Sequence, residues 1–134
     1  MDRINLIKKA EAIAKDLISA KAQIKDNRGR IQFIDGTDPN EYSKIVKYYF
    51  KEKDIKKLSS LVQSLIKSPF AQRSNRTKGY YINIESVLRK SGLDKLNYKE
   101  ASYVLGWSEK LLKYYKAGRE EESPKSKKPP PGRR

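Results

Sequence analysis

The segment QRSNRTKGYY combines residue types that bind nucleic acids. Arg73, Arg76 and Lys78 are positively charged and have no acidic residue close to them in the sequence. Side chains of this kind bind phosphate groups. Tyr80 and Tyr81 follow directly, and aromatic rings stack on bases in proteins that bind single strands or RNA. The alternative is a solvated loop whose tyrosines pack into the core, and the sequence leaves both interpretations open.

A second group of candidate residues lies in the segment LNYKEASYVLGWSEKLLKYYKAGR, residues 96–119. Lys110, Lys113 and Lys116 recur at three-residue spacing, which is typical of the outer surface of a helix. A helix that reads DNA needs such a surface, with side chains that reach phosphates or base edges. The residues assigned to nucleic acid here are Ser108, Lys110, Lys113, Tyr114, Lys116 and Arg119.

The absence of two residue types narrows the chemistry. The chain contains no cysteine and no histidine. Disulfides and thiolate metal sites are thereby excluded, and the commonest general base is missing. No glycine-rich phosphate loop and no acidic cluster at metal-ligand spacing occur in the sequence. We therefore expect no enzymatic activity, no metal and no cofactor.

The net charge points to phosphate binding. Lys and Arg number 31 against 16 Asp and Glu, which leaves +15. Residues 67–119 hold twelve basic against four acidic side chains, whereas residues 1–66 hold fourteen against nine. A concentrated basic surface predicts nucleic acid as the partner, although a Lys-rich composition that serves solubility gives the same count. With no run of about 18 apolar residues and no signal-like N-terminus, we expect a cytoplasmic protein without membrane contact.

The apolar periodicity predicts the elements that must position these residues. Residues 2–25 have the three- and four-residue spacing of a helix. KDNRGR then forms a turn with a small basic cluster, Lys25, Arg28 and Arg30, and residues 31–34 are either a short strand or extended packing. Asp38-Pro39 and Asp54 begin two further helices, the second of which ends before Pro69.

The middle of the chain is predicted to be irregular before a short helix. SPFAQRSNRTKGYY has the composition of a loop. Asn83 is then expected to cap a short helix that Ser91-Gly92 closes, because glycine is frequent just after a helix. Residues 120–134, with their prolines and basic residues, are predicted to be a disordered tail.

The first of two interpretations of residues 96–119 is a helix-turn-helix. Asn97 and Glu100 have the spacing of a capping box. Gly106 can take the left-handed conformation that turns the chain. Ser108 then caps a second helix, which Gly118 closes.

This pattern resembles the helix-turn-helix of the MerR and excisionase families. The residues that carry the likeness are Leu96-Asn97, Glu100-Ala101-Ser102, Val104-Leu105, Gly106, Trp107-Ser108 and Gly118-Arg119. The second helix is about one residue shorter than the family's, and Glu-Glu-Glu follows where the family has a β-wing. The resemblance implies binding to duplex DNA, with residues 108–116 in the major groove.

The second interpretation is one helix that continues through Gly106, since a glycine inside a helix costs only about 1 kcal/mol. Tyr103, Trp107 and Tyr114 then lie on a second face, where we expect a protein interface. A basic helical chain with Ala-x-Tyr-x-x-Gly near its end is similar in outline to the small subunits of type III CRISPR effector complexes. Ala101 is the first residue of that pattern, and Trp107 stands where the family has Arg. This resemblance implies a subunit that holds the backbone of a guide–target duplex.

Together these patterns predict an all-α protein, a compact bundle of five or six helices. Residues 1–119 form its single domain, with residues 96–119 as the candidate helix-turn-helix. The favoured hypothesis is a non-catalytic protein that binds duplex DNA through residues 96–119, while the basic loop and tail hold phosphates. The alternative is a helical subunit of a larger nucleoprotein complex, such as an effector, replication or ribosomal assembly, that binds RNA or DNA.

Overall fold

Helices form most of the structure. The computed structural model describes residues 2–26 and 28–122 of the chain. Within these ranges the elements are α1 (Arg3–Ser19), β1 (Lys21–Lys25), β2 (Ile31–Asp35), α2 (Pro39–Glu52), α3 (Ile55–Lys67), α4 (Pro69–Gln72), α5 (Asn75–Lys90), a 3₁₀ turn (Leu93–Lys95) and α6 (Tyr98–Glu122). The predicted bundle of five or six helices is confirmed.

Capping residues set several helix ends where the sequence predicted them. The side chain of Asp38 accepts a hydrogen bond from the backbone N–H of Asn40, and Pro39 is the first residue of α2. Asp54 caps α3 in the same way, through the N–H of Lys56 at 2.9 Å. These side chains satisfy N–H groups that have no partner inside the helix.

The first predicted helix is shorter than expected. The helix predicted over residues 2–25 ends at Ser19, and residues 21–25 form β1. The sequence KAQIK alternates, so Ala22 and Ile24 are buried while Lys21 and its alternate neighbours are exposed. This two-residue period is typical of a half-buried strand. It was hidden because Ile24 also fits the helical spacing.

The loop predicted over residues 68–81 is wrong. Ser68 caps the short helix α4, and Ser74 caps α5, which begins at Asn75. Asn83 therefore lies inside α5 rather than at its start. Only Arg73 and Ser74 separate the two helices. Composition suggested a loop because serine and asparagine are frequent both in loops and at helix starts.

Residues 98–122 form one continuous helix, α6. The helix-turn-helix geometry predicted for residues 96–119 is therefore not the geometry of this structure. The positive-φ glycines of the described chain are Gly29, Gly36 and Gly92, so Gly106 does not adopt the left-handed conformation that the turn needed. The capping box is present, since the N–H of Glu100 donates to Asn97 at 2.8 Å.

The continuity of α6 follows from its buried stripe. That stripe crosses Gly106 without a break and consists of Ala101, Val104, Leu105, Ser108 and Leu112. It packs against α1 along most of that helix and against α2. A turn at Gly106 would remove half of the stripe from these two helices. Because α6 extends to Glu122, the tail predicted from residue 120 begins inside a helix, and residues 123–134 lie outside the described part.

Among the described residues, the core has one main cluster and one small one. The main cluster joins α1, α2, α3, α5 and α6 around fully buried side chains such as Leu17, Tyr42 and Leu105. The small cluster holds Ala22, Ile24 and Ile34 between the hairpin and α5. The hairpin is thus a separate layer that lies on one helix of the bundle.

Candidate nucleic-acid interface

The hairpin is held on α5 by close packing and a buried amide. A Cβ atom built on Gly79 would lie 2.4 Å from the Cβ of Ile34, so only glycine lets β2 approach α5 this closely. The side chain of Asn83 donates to the carbonyls of Ile34 at 3.1 Å and Gly36 at 2.6 Å. Since Asn83 is buried, these bonds fix the strand along the helix.

The tip of the hairpin is organised by one carboxylate. Asp26 Oδ1 accepts hydrogen bonds from the backbone N–H groups of Arg28 at 2.8 Å and Arg30 at 2.9 Å. The other oxygen of this carboxylate lies 3.5 Å from Arg30 Nε. Gly29 has a φ of 78°, which glycine adopts without strain. The tip therefore presents the side chains of Arg28 and Arg30, whose backbone N–H groups are both bonded to Asp26.

The tip of the hairpin lies at the start of α5. The side-chain amide of Asn75 donates to Gln32 Oε1 at 3.1 Å, and Ile31 is the residue of β2 nearest the tip. β2 then follows α5 from Asn75 toward Asn83. Two basic segments that are far apart in sequence, residues 25–30 and 73–78, thus lie at the same end of this layer. We call their six cationic side chains the basic end: Lys25, Arg28, Arg30, Arg73, Arg76 and Lys78.

The basic end carries little compensating charge. Asp26 is the one acidic residue in residues 25–30 and 73–78. Within the described chain, no ion pair joins a carboxylate to Arg28, Arg73 or Arg76. The first turn of α5 contains no acidic residue either, although the positive end of a helix dipole favours one. The helix dipole and the arginines therefore add to the same positive potential, which attracts anions.

The residues of segment 73–81 that were predicted to bind nucleic acid fall into an exposed group and a packed group. Arg73 and Arg76 are exposed, whereas Lys78 is half-buried. Tyr80 packs against the small cluster beneath the hairpin. Tyr81 is buried, and its hydroxyl donates to Glu41. The tyrosines therefore hold the helix in place, and the exposed arginines are the groups free to bind phosphate.

The predicted contact at Ser108 is contradicted by its burial. Its side chain is fully buried in α6. The Ser108 hydroxyl donates to the carbonyl of Leu105 at 2.8 Å, so the hydroxyl of Tyr42 donates to Ser108 Oγ at 2.7 Å. Burial raises the pKa of Tyr42 well above its usual range. Ser108 thus joins α6 to α2 inside the core and cannot reach a nucleic acid.

Three lysines of α6 that were assigned to nucleic acid are exposed to different degrees, and each has a partner within the protein. Lys110 Nζ lies 5.3 Å from the centre of the Trp107 ring. Lys113 Nζ lies 3.5 Å from Glu109, and half-buried Lys116 donates to the carbonyl of Thr37 at 3.3 Å. The side chain of Arg119 lies outside the described residues. These lysines therefore already interact with groups of the protein itself, and those groups compete with a nucleic acid for them.

The exposed side of α6 is aromatic. We call Tyr103, Trp107, Lys110, Lys113 and Tyr114 the α6 face. Tyr103 is half-buried, with its ring centre 6.3 Å from that of Trp107. Tyr114 is 73% exposed and Trp107 is 38% exposed. This is the arrangement expected from the continuous-helix interpretation, in which these residues lie on a second face.

The sequence interpretation missed the outer face of the hairpin. Phe33 is 58% exposed there, and Ile31 is 54% exposed. Lys21 Nζ lies 5.8 Å from the centre of the Phe33 ring. The residue types of β1 alternate around buried Ala22 and Ile24. That alternation was the available signal, but residues 21–25 were assigned to a helix, and residues 31–34 were left as either a short strand or extended packing.

No protein-family model matches the chain, and the searches of curated proteins and of solved structures gave no match either. Across residues 2–26 and 28–122, no group of three His, Cys, Asp or Glu side chains is placed to hold a metal ion. In the same part of the chain, no helix is both long and apolar enough to cross a membrane.

Proposed function

We propose that this protein binds nucleic acid without catalysing a reaction, and that the basic end holds the phosphate backbone. The observation that carries this proposal is the hydrogen bond between Asn75 and Gln32, 3.1 Å long. It joins two basic segments into one surface with a single carboxylate. Phosphate binding by such a surface is favourable because the cationic side chains displace counterions that are condensed on the nucleic acid.

The arginines are suited to this role. A guanidinium group offers several N–H donors in a plane and binds phosphate oxygens in pairs. Arg28, Arg73 and Arg76 are exposed, so they are accessible to a ligand. The hydrogen bonds that Asp26 and Ser74 accept from nearby backbone N–H groups reduce the entropy that each contact costs.

The DNA-groove hypothesis for residues 108–116 becomes a separate proposal about α6. In the continuous helix, Lys110, Lys113 and Tyr114 remain exposed and can reach a phosphate or a base edge. Their nearby partners, Trp107 and Glu109, compete for these lysines. We therefore place the principal phosphate contacts at the basic end.

A pair of charge-matched variants separates the two surfaces. Arg73→Ala/Arg76→Ala and Lys110→Ala/Lys113→Ala each remove two positive charges. Binding of labelled duplex DNA, single-stranded DNA and RNA is measured by anisotropy over a series of salt concentrations. We expect the first variant to bind more weakly and to lower the salt slope by about 0.7–0.9 for each phosphate that it no longer neutralises.

The control is Arg73→Lys/Arg76→Lys, which keeps the charge and should keep most of the salt slope. A wild-type affinity that does not change with salt would overturn the proposal, because several phosphate contacts require a steep dependence. A loss of affinity confined to Lys110→Ala/Lys113→Ala and to duplex DNA would instead support groove binding by α6.

A second candidate function is a subunit of a larger nucleoprotein complex. It rests on the α6 face, where the exposed side chains of Trp107 and Tyr114 are seven residues, or about two helical turns, apart. Aromatic residues are enriched where proteins meet. A photoreactive amino acid at residue 114 in the cell should then cross-link to protein, whereas the same group at exposed Gln63 of α3 should not. Cross-links to nucleic acid alone would exclude this role for the face.

A further inference from the structure

We propose that the outer face of the hairpin stacks unpaired bases, so that the nucleic acid held at the basic end is single-stranded. This inference rests on the proposed function and names the substrate class of the same site. It concerns the face of β1 and β2 that points away from α5. The side chains of that face are Lys21, Gln23, Lys25, Ile31, Phe33 and Asp35.

The exposure of Phe33 has no explanation in the fold. The antiparallel register places it opposite Gln23, while Ile34 beside it in sequence is buried against α5. At 58% exposed, the Phe33 ring lies over the sheet rather than in the core. Ile31, two residues nearer the tip, extends the same apolar strip. A flat aromatic ring on a strand is the platform on which single-strand binders stack bases.

The charge around the ring matches a nucleic-acid strand. Lys21 lies 5.8 Å from the centre of the Phe33 ring, and Lys25 is opposite Ile31. Asp35 carries the one carboxylate among the side chains of this face. Its Oδ1 lies 3.9 Å from Lys21 Nζ. Phe33 is two residues from Ile31, or ~7 Å along the strand. A chain whose phosphates lie on the basic end can therefore place a nearby base on Phe33.

The residue types argue against a duplex as the ligand of this face. A two-stranded ribbon can enter the major groove, but it reads base edges there through polar side chains. Here the side chains at the centre of the face are Phe33 and Gln23, with Ile31 beside them. In a duplex the faces of the bases are covered by stacking, so a Phe33 ring that stacks on a base favours an unpaired one.

The test compares Phe33→Ala with the wild-type protein. Affinity is measured for labelled oligo-dT, oligo-U and a blunt duplex of the same length, at one salt concentration. We expect Phe33→Ala to weaken binding of the single strands by about tenfold, and Phe33→Tyr to restore it. Duplex affinity should stay within about twofold of wild type, since its phosphate contacts are unchanged. Ile4→Ala, which removes an apolar side chain that is 68% exposed on α1, is the control and should change neither affinity.

A spectroscopic readout reports stacking directly. Phe33→Trp in a Trp107→Phe background gives the protein one indole, on the hairpin. Stacking on a base should quench its emission when oligo-dT is added, and circular dichroism checks that each variant is folded. Equal quenching by the duplex, or no quenching at saturating oligo-dT, would overturn the inference.

The outcomes distinguish the two proposals. If the wild-type protein binds no oligonucleotide, the proposed function itself fails. If it binds with a steep salt dependence while Phe33→Ala changes nothing, the basic end remains and base stacking is rejected. If sedimentation shows a wild-type dimer that Phe33→Ala dissociates, the face is an interface between two copies of the chain, and base stacking is likewise rejected.

Discussion

The basic end and the α6 face are both rich in positive charge, but they use it differently. The lysines of the α6 face lie on Trp107 or pair with Glu109. In the described chain, the basic end has one carboxylate, Asp26, which pairs with Arg30 and leaves the other exposed arginines without an ion pair. The α6 face comes from one run of sequence, whereas the basic end comes from two segments that only the fold brings together. Positive charge is thus more available to a ligand at the basic end, although the sequence alone does not show that its two segments lie together.

The two surfaces also differ in the contacts that hold them on the rest of the protein. The hairpin depends on Gly79 and Asn83, which connect it to a single helix. The α6 face belongs to a helix that packs on α1 and α2 through a long apolar stripe. A change beneath the hairpin should therefore remove the basic end while the α6 face remains, and the predictions below test this difference.

The largest effect is expected from Gly79→Val. The added side chain would overlap Ile34, since even a Cβ would lie 2.4 Å from it. We expect the free energy of unfolding to fall by about 3 kcal/mol, measured by urea denaturation. Gly118→Val is the matched control, because a Cβ at Gly118 meets no described atom within 4 Å. Equal effects of the two substitutions would contradict the close approach of β2 to α5.

Asn83→Ala should cost about 2 kcal/mol, because it leaves the buried carbonyls of Ile34 and Gly36 without their amide donor. Hydrogen exchange should rise in β1 and β2 before it rises in α6. The matched control is Asn75→Ala, which removes an exposed amide and should cost well under about 1 kcal/mol. Exchange that rises equally in both regions would mean that the hairpin and the bundle unfold together.

Tyr42→Phe tests the polar contact beneath α6. It removes the bond to Ser108 and should cost about 1 kcal/mol at neutral pH. Burial raises the pKa of Tyr42 in the folded protein, so this side chain stays neutral when the unfolded chain ionises. Its contribution is fully present below about pH 10 and is lost as the pH rises further, at about 1.4 kcal/mol per pH unit.

The loss of stability with rising pH is measured by thermal unfolding of the wild-type protein and of Tyr42→Phe, between neutral pH and pH about 11. Stability of the wild-type protein should fall more steeply above about pH 10 than that of Tyr42→Phe. Parallel curves for the two proteins would show that Tyr42 does not stay neutral in the folded state.

Gly106→Ala has the smallest expected effect, and its sign discriminates between the two interpretations of residues 96–119. In a continuous helix alanine should stabilise the protein by up to about 1 kcal/mol. The added Cβ would meet only the Phe50 ring, at 3.7 Å. A left-handed turn at this position would instead be destabilised by alanine. A fall in the melting temperature would therefore favour the helix-turn-helix.

Much of the helical framework could be predicted because local signals decide it. Asp38-Pro39, Asp54 and Asn97 act on N–H groups a few residues away, so their role as caps is visible in the sequence. The errors arose where one local pattern fitted two structures. Ile24 fitted a helical stripe and a strand, and Ser74-Asn75 fitted a loop and a helix start.

There is a physical reason why the candidate site could be predicted only in part. Arg73 and Arg76 could be identified as phosphate-binding types, and they are exposed. Whether Tyr80 faces a base or the core depends on the hairpin that covers it, which is distant in sequence. The burial of Ser108 depends in the same way on Tyr42. Side-chain type is local information, whereas exposure depends on what packs nearby.

The amino-acid sequence by itself determined the high positive charge, the absence of cysteine and histidine, and most helix starts. Only the tertiary structure decided that α6 runs through Gly106, since the apolar pattern permits both a turn and a helix there. Burial against α1 and α2 favours the helix by keeping the whole stripe out of water. Tertiary structure also brought residues 25–30 to residues 73–78, because Gly79 allows the hairpin to lie directly on α5.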